Sequence, residues 1–225
     1  MSGEPPSLDF DAVIVGAGFS GLYMLHRLRE LGLEARVLEK ADEVGGTWYW
    51  NRYPGARCDS ESHIYLLFLS DALLEDWEWS ERYPEQPEIL EYLQFVADRL
   101  ELRRDIDFET EVESATYDEA SGTWTVTTAA GEALTTRYLI TAVGCLSEPF
   151  IPDFEGLDQF EGEWFHTARW PRDGVSFDGK TVGVIGTGLD GHSAHPRGRR
   201  GGRAVDRLSA NAQLRCSGPE SPPLR

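Results

Sequence analysis

The first forty residues place apolar and polar positions in the order strand, helix, strand. Residues 10–15 form a short apolar run that is typical of a buried parallel strand. Leucines then recur at helical spacing from Leu22 to Leu31, and Gly32 stands where a helix C-cap is expected. Residues 35–39 supply a second strand. The pattern therefore predicts a β-α-β unit at the start of the chain.

The middle of the chain predicts a loop, a helix and a pair of strands. Residues 44–66 are rich in Gly, Trp, Tyr and Pro and show no clean period, which favours a long structured loop. Residues 87–102 have the apolar spacing of an amphipathic helix with a proline at its start. Residues 108–118 and 123–128 are interpreted as two strands joined by a turn.

Two further apolar strands are each followed by glycine. Residues 138–144 form a buried strand that ends at Gly144, and residues 181–185 lead into Gly186-Thr187-Gly188. The chain thus contains two units in which a strand runs into a glycine turn. This repetition predicts an α/β fold with two dinucleotide-binding domains of the Rossmann type.

The first glycine loop has the sequence Gly16-Ala17-Gly18-Phe19-Ser20-Gly21. Such spacing alone is a weak signal, because glycine-rich turns are common. Here the loop follows a strand, opens a helix and precedes an acidic residue, Glu39, at the end of the next strand. That context is the dinucleotide-binding fingerprint.

Each residue of this fingerprint has a physical task. Gly16 permits the tight turn, Gly18 lets the backbone approach a pyrophosphate, and Gly21 lets helix and strand pack closely. The phosphates would lie against the unpaired N–H groups at the positive end of the helix. Glu39 would accept hydrogen bonds from the adenosine ribose, and its charge disfavours a 2′-phosphate. FAD or NAD is therefore predicted here rather than NADP.

The composition excludes several classes of function. With 39 acidic against 21 basic residues the net charge is −18, which argues against a nucleic-acid surface. The basic residues 189–225 leave a nucleic-acid-binding tail open as an alternative. No apolar run is long enough for a transmembrane helix. Residues 1–9 are Pro/Ser-rich, predict disorder and lack the pattern of a signal peptide.

The cysteines point to a reducing compartment. Cys58, Cys145 and Cys216 are widely spaced and contain no CxxC pair. Neither a disulfide framework nor a metal site is predicted from them, and a cytoplasmic location is expected.

Two long motifs carry a resemblance to a known family. The first is Gly45-Gly46-Thr47-Trp48-Tyr49-Trp50-Asn51-Arg52-Tyr53-Pro54-Gly55-Ala56-Arg57-Cys58-Asp59, and the second is Phe160-x-Gly162-x-x-x-His166-x-x-x-Trp170-Pro171. Both resemble the flavin-dependent Baeyer–Villiger monooxygenases of the phenylacetone and cyclohexanone monooxygenase type. The turn Ala142-Val143-Gly144 is similar to one shared by the wider flavoprotein monooxygenases. The resemblance covers residues 10–188.

The resemblance implies a fold and a reaction. The expected flavoprotein has two three-layer Rossmann domains and is truncated in the second. FAD would bind residues 10–148, residues 149–178 would form a linker with the fingerprint, and residues 179–188 would begin the NADP(H) domain. Reduced flavin and O₂ would give a C4a-peroxyflavin that converts a small ketone to an ester or lactone. An amine- or sulfide-oxygenating flavin monooxygenase is the alternative, against which the final Trp170-Pro171 of the fingerprint argues.

Site residues follow from the motif positions. Asp59 and His166 are implied to serve the reaction, Asp59 beside an active-site arginine and His166 in the NADP-linked conformational change. Arg57 and Asp59 would lie where the nicotinamide meets the flavin. The predicted cofactor contacts are Gly16, Gly18, Phe19, Ser20, Gly21, Glu39, Lys40, Gly46, Thr47, Trp48, Arg57, Asp59, Tyr65, Val112, Gly144, Gly186, Thr187 and Gly188.

Residues 189–225 depart from the family pattern. They are rich in Arg and Gly, contain no Phe, Trp or Tyr, and predict disorder. Read one base downstream with free wobble bases, the codons from Gly188 can be read as Ala-Ser-Thr-Gly-Ile-Gln-Leu-Ile-Pro-Glu, which matches the family pattern. The codons for 204–214 can again be read in the shifted frame as the sequence that the family pattern predicts. We interpret the tail as the product of a frameshift near Gly188. An early stop codon in the shifted frame of the coding DNA would contradict this hypothesis.

The frameshift hypothesis changes the functional expectation for this polypeptide. The family's 2′-phosphate-binding residues, its active-site arginine and most of its substrate pocket lie beyond the point where the pattern stops. An inactive fragment that at most binds FAD is therefore the alternative to a working oxygenase.

Overall fold

The computed structural model describes residues 7–186 and, further along, two strands by their backbone alone. The chain forms two compact units. The first comprises Met1–Tyr49, Tyr65–Trp79 and Glu88–Ser147, and the second comprises Trp50–Ile64, Ser80–Pro87 and Glu148–Arg225. The sequence predicted a contiguous first domain over residues 10–148. Two segments of that range cluster with the second unit, and one of them supplies Tyr53 and Ala56 to its core. The domain boundaries stay a prediction.

The first unit is built on a six-stranded sheet with the order β3-β2-β1-β6-β5-β4. Its strands are β1 (Phe10–Val15), β2 (Ala35–Leu38), β3 (Ile106–Asp107), β4 (Val112–Asp118), β5 (Thr123–Thr128) and β6 (Ala133–Thr141). Strands β3, β2, β1 and β6 run parallel, and β5 and β4 extend the sheet in antiparallel fashion. The predicted β-α-β unit and the strand pair are confirmed.

The described residues form four α-helices. They are α1 (Phe19–Glu30), α2 (Thr47–Trp50), α3 (Asp71–Glu75) and α4 (Gln86–Arg99). Helix α1 buries Leu22, Leu25 and Leu28, which is the face that the leucine spacing predicted. Gly32 follows it with a φ of +73°, so the expected glycine stop is confirmed. Among the described residues, no helix is long and apolar enough to cross a membrane.

Helix α4 contributes Tyr92 to the core of the first unit. Its ring is fully buried with Leu73 and Val96 and contacts Trp77 and Trp79 at centroid distances of 5.2 and 5.0 Å. Burial raises the pKa of the Tyr92 phenol. Its oxygen accepts a hydrogen bond from the backbone N–H of residue 67 at 2.7 Å. A single side chain thus anchors the segment that precedes α3.

Replacing this phenol tests the anchor. Tyr92→Phe is expected to lower the free energy of unfolding by about 1–2 kcal/mol, because a part-buried backbone N–H loses its acceptor. Equilibrium urea unfolding measures the effect. Tyr23→Phe, on the exposed face of α1, is the matched control and should change stability little. Equal effects of the two substitutions would contradict the assigned role.

The second unit has a four-stranded sheet with the order β7-β10-β8-β9. Its strands are β7 (Glu163–His166), β8 (Thr181–Ile185), β9 (Ala204–Leu208) and β10 (Gln213–Ser217). Strands β8 and β9 are parallel, and β10 is antiparallel to both of its neighbours. The core of this unit contains Tyr53, Ala56, Trp170 and Val182.

Strands β9 and β10 lie in the segment 189–225, for which the sequence predicted no regular structure. The structure differs at these positions because β8 offers backbone partners on both sides. In β10 apolar and polar residues also alternate, a period of two that is too short to stand out in an Arg/Gly-rich stretch. The rest of that segment lies outside the described residues, as do residues 1–6 of the stretch 1–9 that was predicted to be disordered. Asp9, at the end of that stretch, is ordered, because it exchanges hydrogen bonds with Thr135.

Candidate dinucleotide site

The first glycine loop connects β1 to α1 and is packed against backbone on two sides. Gly16 has a φ of +102°, and a Cβ there would lie 2.8 Å from the carbonyl oxygen of Ala142. A Cβ on Gly21 would lie 1.9 Å from the carbonyl oxygen of Gly16. These contacts give Gly16 and Gly21 the roles predicted for them, a tight turn and a close approach of helix to loop.

Gly18 faces a second glycine pair. A Cβ on Gly18 would lie 3.4 Å from the Cα of Gly46, which itself has a φ of +52°. The N–H of Gly45 donates to the carbonyl oxygen of Ala17 at 3.0 Å. Gly45 was not among the predicted site residues, although the doubled glycine at the start of its motif was the available signal. Two backbone segments without side chains therefore pack directly against each other beside the start of α1.

The helix that starts at this loop is suited to an anion. Helix α1 has Gly18 as its N-cap, so no side chain caps its first N–H groups, and its first turn contains no acidic residue. The uncapped N–H groups and the positive end of the helix dipole favour a phosphate at this position. Ser20 is exposed within the first turn.

Glu39 lies directly after β2 and is buried, with 5% of its surface exposed. One carboxylate oxygen accepts the N–H of Ala17 at 2.5 Å, and the other accepts the N–H of Ala41 at 2.8 Å. Each oxygen retains a second lone pair that can accept a ribose hydroxyl. The side chain is thus fixed at the base of the glycine loop.

Three of the residues predicted to contact the cofactor form an aromatic cluster in the first unit. The ring of Tyr65 meets Phe19 edge-on at 5.2 Å and Trp48 at 5.8 Å. Phe19 opens α1, and Trp48 is nearly buried in α2. The cluster gives the glycine loop an apolar flank that excludes water.

The other residues of the first unit that were predicted to contact the cofactor are less enclosed than the aromatic cluster. Thr47 opens α2, and Lys40 is exposed and paired with Glu111 at 2.7 Å. Val112 begins β4 and is half-buried, and Gly144 follows β6 with a φ of +73°. Since Gly16, Glu39 and Gly144 all follow the carboxyl ends of parallel strands, they share the sheet edge at which ligands bind in such folds.

In the second unit, Arg57 is held by acidic residues. Its guanidinium pairs with Glu85, lies 3.5 Å from Glu81, and donates to the backbone carbonyl of Tyr83 at 3.3 Å. Asp59 is exposed, and no lysine or arginine of the described residues pairs with it. The pairing of Asp59 with an active-site arginine stays a prediction. The described residues contain no cluster of side chains that could hold a metal ion.

His166 and Trp170 build the fingerprint segment into the second unit. His166 ends β7, is buried, and accepts the N–H of Ala168 at Nδ1 over 3.1 Å, which caps a short 3-10 helix. A neutral His166 therefore carries its proton on Nε2. Trp170 packs against Phe165 and Phe177 in the core. Gly186 follows β8 with a φ of +121°, whereas Thr187 and Gly188 lie outside the described residues.

The cap gives His166 a measurable structural effect. His166→Ala is expected to lower the free energy of unfolding by about 1 kcal/mol, as loss of an N-cap acceptor does elsewhere. Urea unfolding followed by tryptophan fluorescence checks this, with Trp170 as a nearby reporter. His63→Ala, at an exposed histidine, serves as the control. A loss no greater than that of the control would show that the cap contributes nothing.

Comparison with known proteins places this geometry in a family. The family described as flavin-binding monooxygenase-like matches residues 11–195. The acetone monooxygenase (methyl acetate-forming) of Gordonia sp. (strain TY-5) is 54% identical over 181 residues, which cover 80% of this chain and 34% of that relative. The phenazine N-monooxygenase PhzNO1 of Lysobacter antibioticus is 53% identical over 183 residues, 81% of this chain and 34% of the relative.

A solved structure agrees with the sequence relatives. The crystal structure of OTEMO in complex with FAD and NADP superposes with a TM-score of 0.79 and is 44% identical, covering 85% of this chain and 37% of that one. The chain spans about a third of the length of the relatives it matches. Because the family match extends over most of the chain, from the glycine loop through the fingerprint, this chain belongs to the flavin-binding monooxygenase-like family.

Proposed function

We propose that the first unit binds FAD and that the chain is the FAD-binding part of a Baeyer–Villiger monooxygenase, which uses NADPH and O₂ to convert ketones to esters or lactones. The observation that carries the proposal is the uncapped start of α1 at Gly18, which packs against the bare backbone of Gly46, with Glu39 bonded to the N–H of the preceding Ala17. The solved structure of OTEMO, which is 44% identical to this chain, is a complex with FAD and NADP.

The residues present fit a dinucleotide. A pyrophosphate needs backbone N–H donors and an approach free of side chains, which Gly18 and Gly46 provide. Glu39 would accept the ribose hydroxyls of the adenosine and repel a 2′-phosphate. When bound, FAD would supply the redox chemistry by which O₂ is activated.

The chain's own residues would bind the cofactor and exclude water. Phe19, Trp48 and Tyr65 would shield it on one side. In the second unit, β8 and Gly186 would begin the NADP(H) site, and Arg57 would serve the nicotinamide. Glu81 and Glu85 would hold that guanidinium in place.

A small ketone is the proposed substrate class. The name of the acetone monooxygenase specifies methyl acetate as product, which is acetone with one oxygen atom inserted between the carbonyl carbon and a methyl carbon. The fingerprint that ends in Trp170-Pro171 favours the same chemistry.

A cytoplasmic location is part of the proposal, and it is supported by Cys58 and Cys145, which are free thiols. Neither nucleic acid nor a membrane is proposed as a partner.

Oxygenation of a heteroatom is the second candidate function. It is favoured by the phenazine N-monooxygenase, whose identity to this chain, at 53%, is almost that of the acetone monooxygenase. The reaction products distinguish the two candidate functions, since a ketone gives an ester, whereas an aromatic nitrogen heterocycle such as phenazine gives an N-oxide.

A titration of the purified chain with FAD tests the proposal. Saturable binding of one FAD per chain is expected, and the quenching of flavin fluorescence measures it. NADPH oxidation coupled to ester formation from acetone or cyclohexanone would show that this chain also performs the reaction. FAD binding without turnover would limit the function of this chain to cofactor binding. Absence of saturable binding by a folded chain would overturn the proposal.

A further inference from the structure

We infer that Glu39 is a positioning residue that holds the pyrophosphate-binding loop in its binding geometry before the cofactor arrives. This inference rests on the proposed FAD site. It assigns Glu39 a task beyond the ribose contact, because its carboxylate accepts two backbone N–H groups of the chain itself.

The peptide at Ala17 is held from both of its sides. Its N–H donates to Glu39, and its carbonyl oxygen accepts the N–H of Gly45. Residues 39 and 45 lie 22 and 28 positions further along the chain, so the loop is fixed by contacts that local sequence does not provide. Ala17 is fully buried, and the next residue, Gly18, is the one whose backbone faces Gly46.

Glu39 is itself rigidly placed. Its own N–H donates to the carbonyl of Asp107 at 2.9 Å, and its carbonyl accepts the N–H of Thr110 at 2.8 Å. No lysine or arginine in the described part of the chain pairs with its carboxylate, and the neighbouring Lys40 is paired with Glu111. The buried carboxylate is therefore stabilised by the N–H group of Ala17 in the glycine loop, by that of Ala41 and by the nearby start of α1.

Glu39→Gln separates positioning from ribose contact. The amide keeps a carbonyl for one N–H group but presents an NH₂ group to the other, so one backbone donor loses its acceptor. The substitution also removes a negative charge near an anion site, which by itself would strengthen pyrophosphate binding. Weaker binding of a ligand that cannot contact Glu39 through its ribose would thus report on the loop.

The experiment compares FAD with an FAD analogue that has a 2′,3′-dideoxyadenosine moiety. If Glu39 positions the loop, Glu39→Gln weakens binding of both ligands by about tenfold or more, because a charge-assisted hydrogen bond is lost in each case. If Glu39 acts through the ribose hydroxyls alone, wild type and variant bind the dideoxy analogue equally, and the inference is overturned. Glu91→Gln, at an exposed glutamate on α4, is the matched control.

Amide hydrogen exchange tests the same inference without any cofactor. In the cofactor-free wild-type chain the N–H groups of Ala17 and Ala41 should be protected, and in Glu39→Gln the protection of at least one should fall by about tenfold. Rapid exchange of both in wild type would overturn the inference even if the variant fails to fold. Protected amides in a wild-type chain that does not bind FAD would instead count against the proposed function, while the positioning of the loop by Glu39 would still be supported.

Discussion

Gly21→Ala is expected to unfold the first unit. The added Cβ would lie 1.9 Å from the carbonyl oxygen of Gly16, a distance that real contacts do not reach. Neither partner can yield easily, because Gly16 is itself confined by the carbonyl of Ala142 and Gly21 is buried in α1. The expected cost is about 3 kcal/mol or more, above the usual range for overpacking because both atoms belong to the backbone. Circular dichroism and urea unfolding of the purified variant measure it.

The control for Gly21→Ala is Gly183→Ala in β8. Gly183 has no positive φ, and a Cβ there would meet no atom of the residues whose side chains are described within 4 Å. The two substitutions add the same methyl group, so a difference between them reports on the packing at Gly21. A Gly21→Ala chain with the wild-type unfolding midpoint would show that α1 does not approach the loop as described.

Gly18→Ala is expected to abolish tight FAD binding without unfolding the chain. Gly18 has an extended backbone with a φ of −82°, which any residue adopts, and its Cβ would touch the Cα of Gly46 at an ordinary distance. The methyl group would instead cover part of the backbone that the pyrophosphate has to approach. Loss of one or two charge-assisted hydrogen bonds predicts about 100-fold weaker binding. Fluorescence titration with FAD measures the affinity.

Two observations decide this second prediction. The melting temperature of Gly18→Ala should stay close to that of wild type, whereas Gly183→Ala should keep both stability and FAD affinity. Wild-type FAD affinity in Gly18→Ala would mean that no phosphate approaches Gly18, and the glycine loop would then lose its assignment as the pyrophosphate site.

The sequence predicted the first three elements of the fold closely, because each has a clear period and a glycine boundary. It placed a strand at residues 138–144, whereas β6 spans Ala133–Thr141. The early half of β6 contains threonines and an arginine and becomes a strand through its ladder with β5. The two-residue β3 and the five-residue α3 are too short to leave a pattern.

The candidate site was predictable as far as local spacing reaches. The glycine loop and Glu39 follow from positions within one β-α-β unit. The bonds from Ala17 to Glu39 and Gly45 do not, since they join residues that only the folded chain brings together. Tyr65 was identified by resemblance alone, and its place beside Phe19 and Trp48 depends on the packing of a loop without a period.

In the fingerprint segment, the resemblance implied a functional role, and the structure shows a packing role that the sequence did not predict. Resemblance marked residues 160–171 as functional, and no pattern in the residues indicated that Trp170 belongs to a core. In the structure Trp170 packs with Tyr53 and Ala56, and Thr167, three positions earlier in the chain, is also buried. A motif can therefore be distinctive in sequence because it has a packing task.

The core of the second unit has a consequence for synthesis on the ribosome. Tyr53 and Trp170 are 117 positions apart, and Val182 follows later still. At about 5–20 residues per second, the apolar side chains near residue 53 emerge roughly 6 to 25 seconds before their partners exist. During that interval the nascent chain presents an unpaired aromatic segment, which is a binding site for chaperones and a point of vulnerability to proteases.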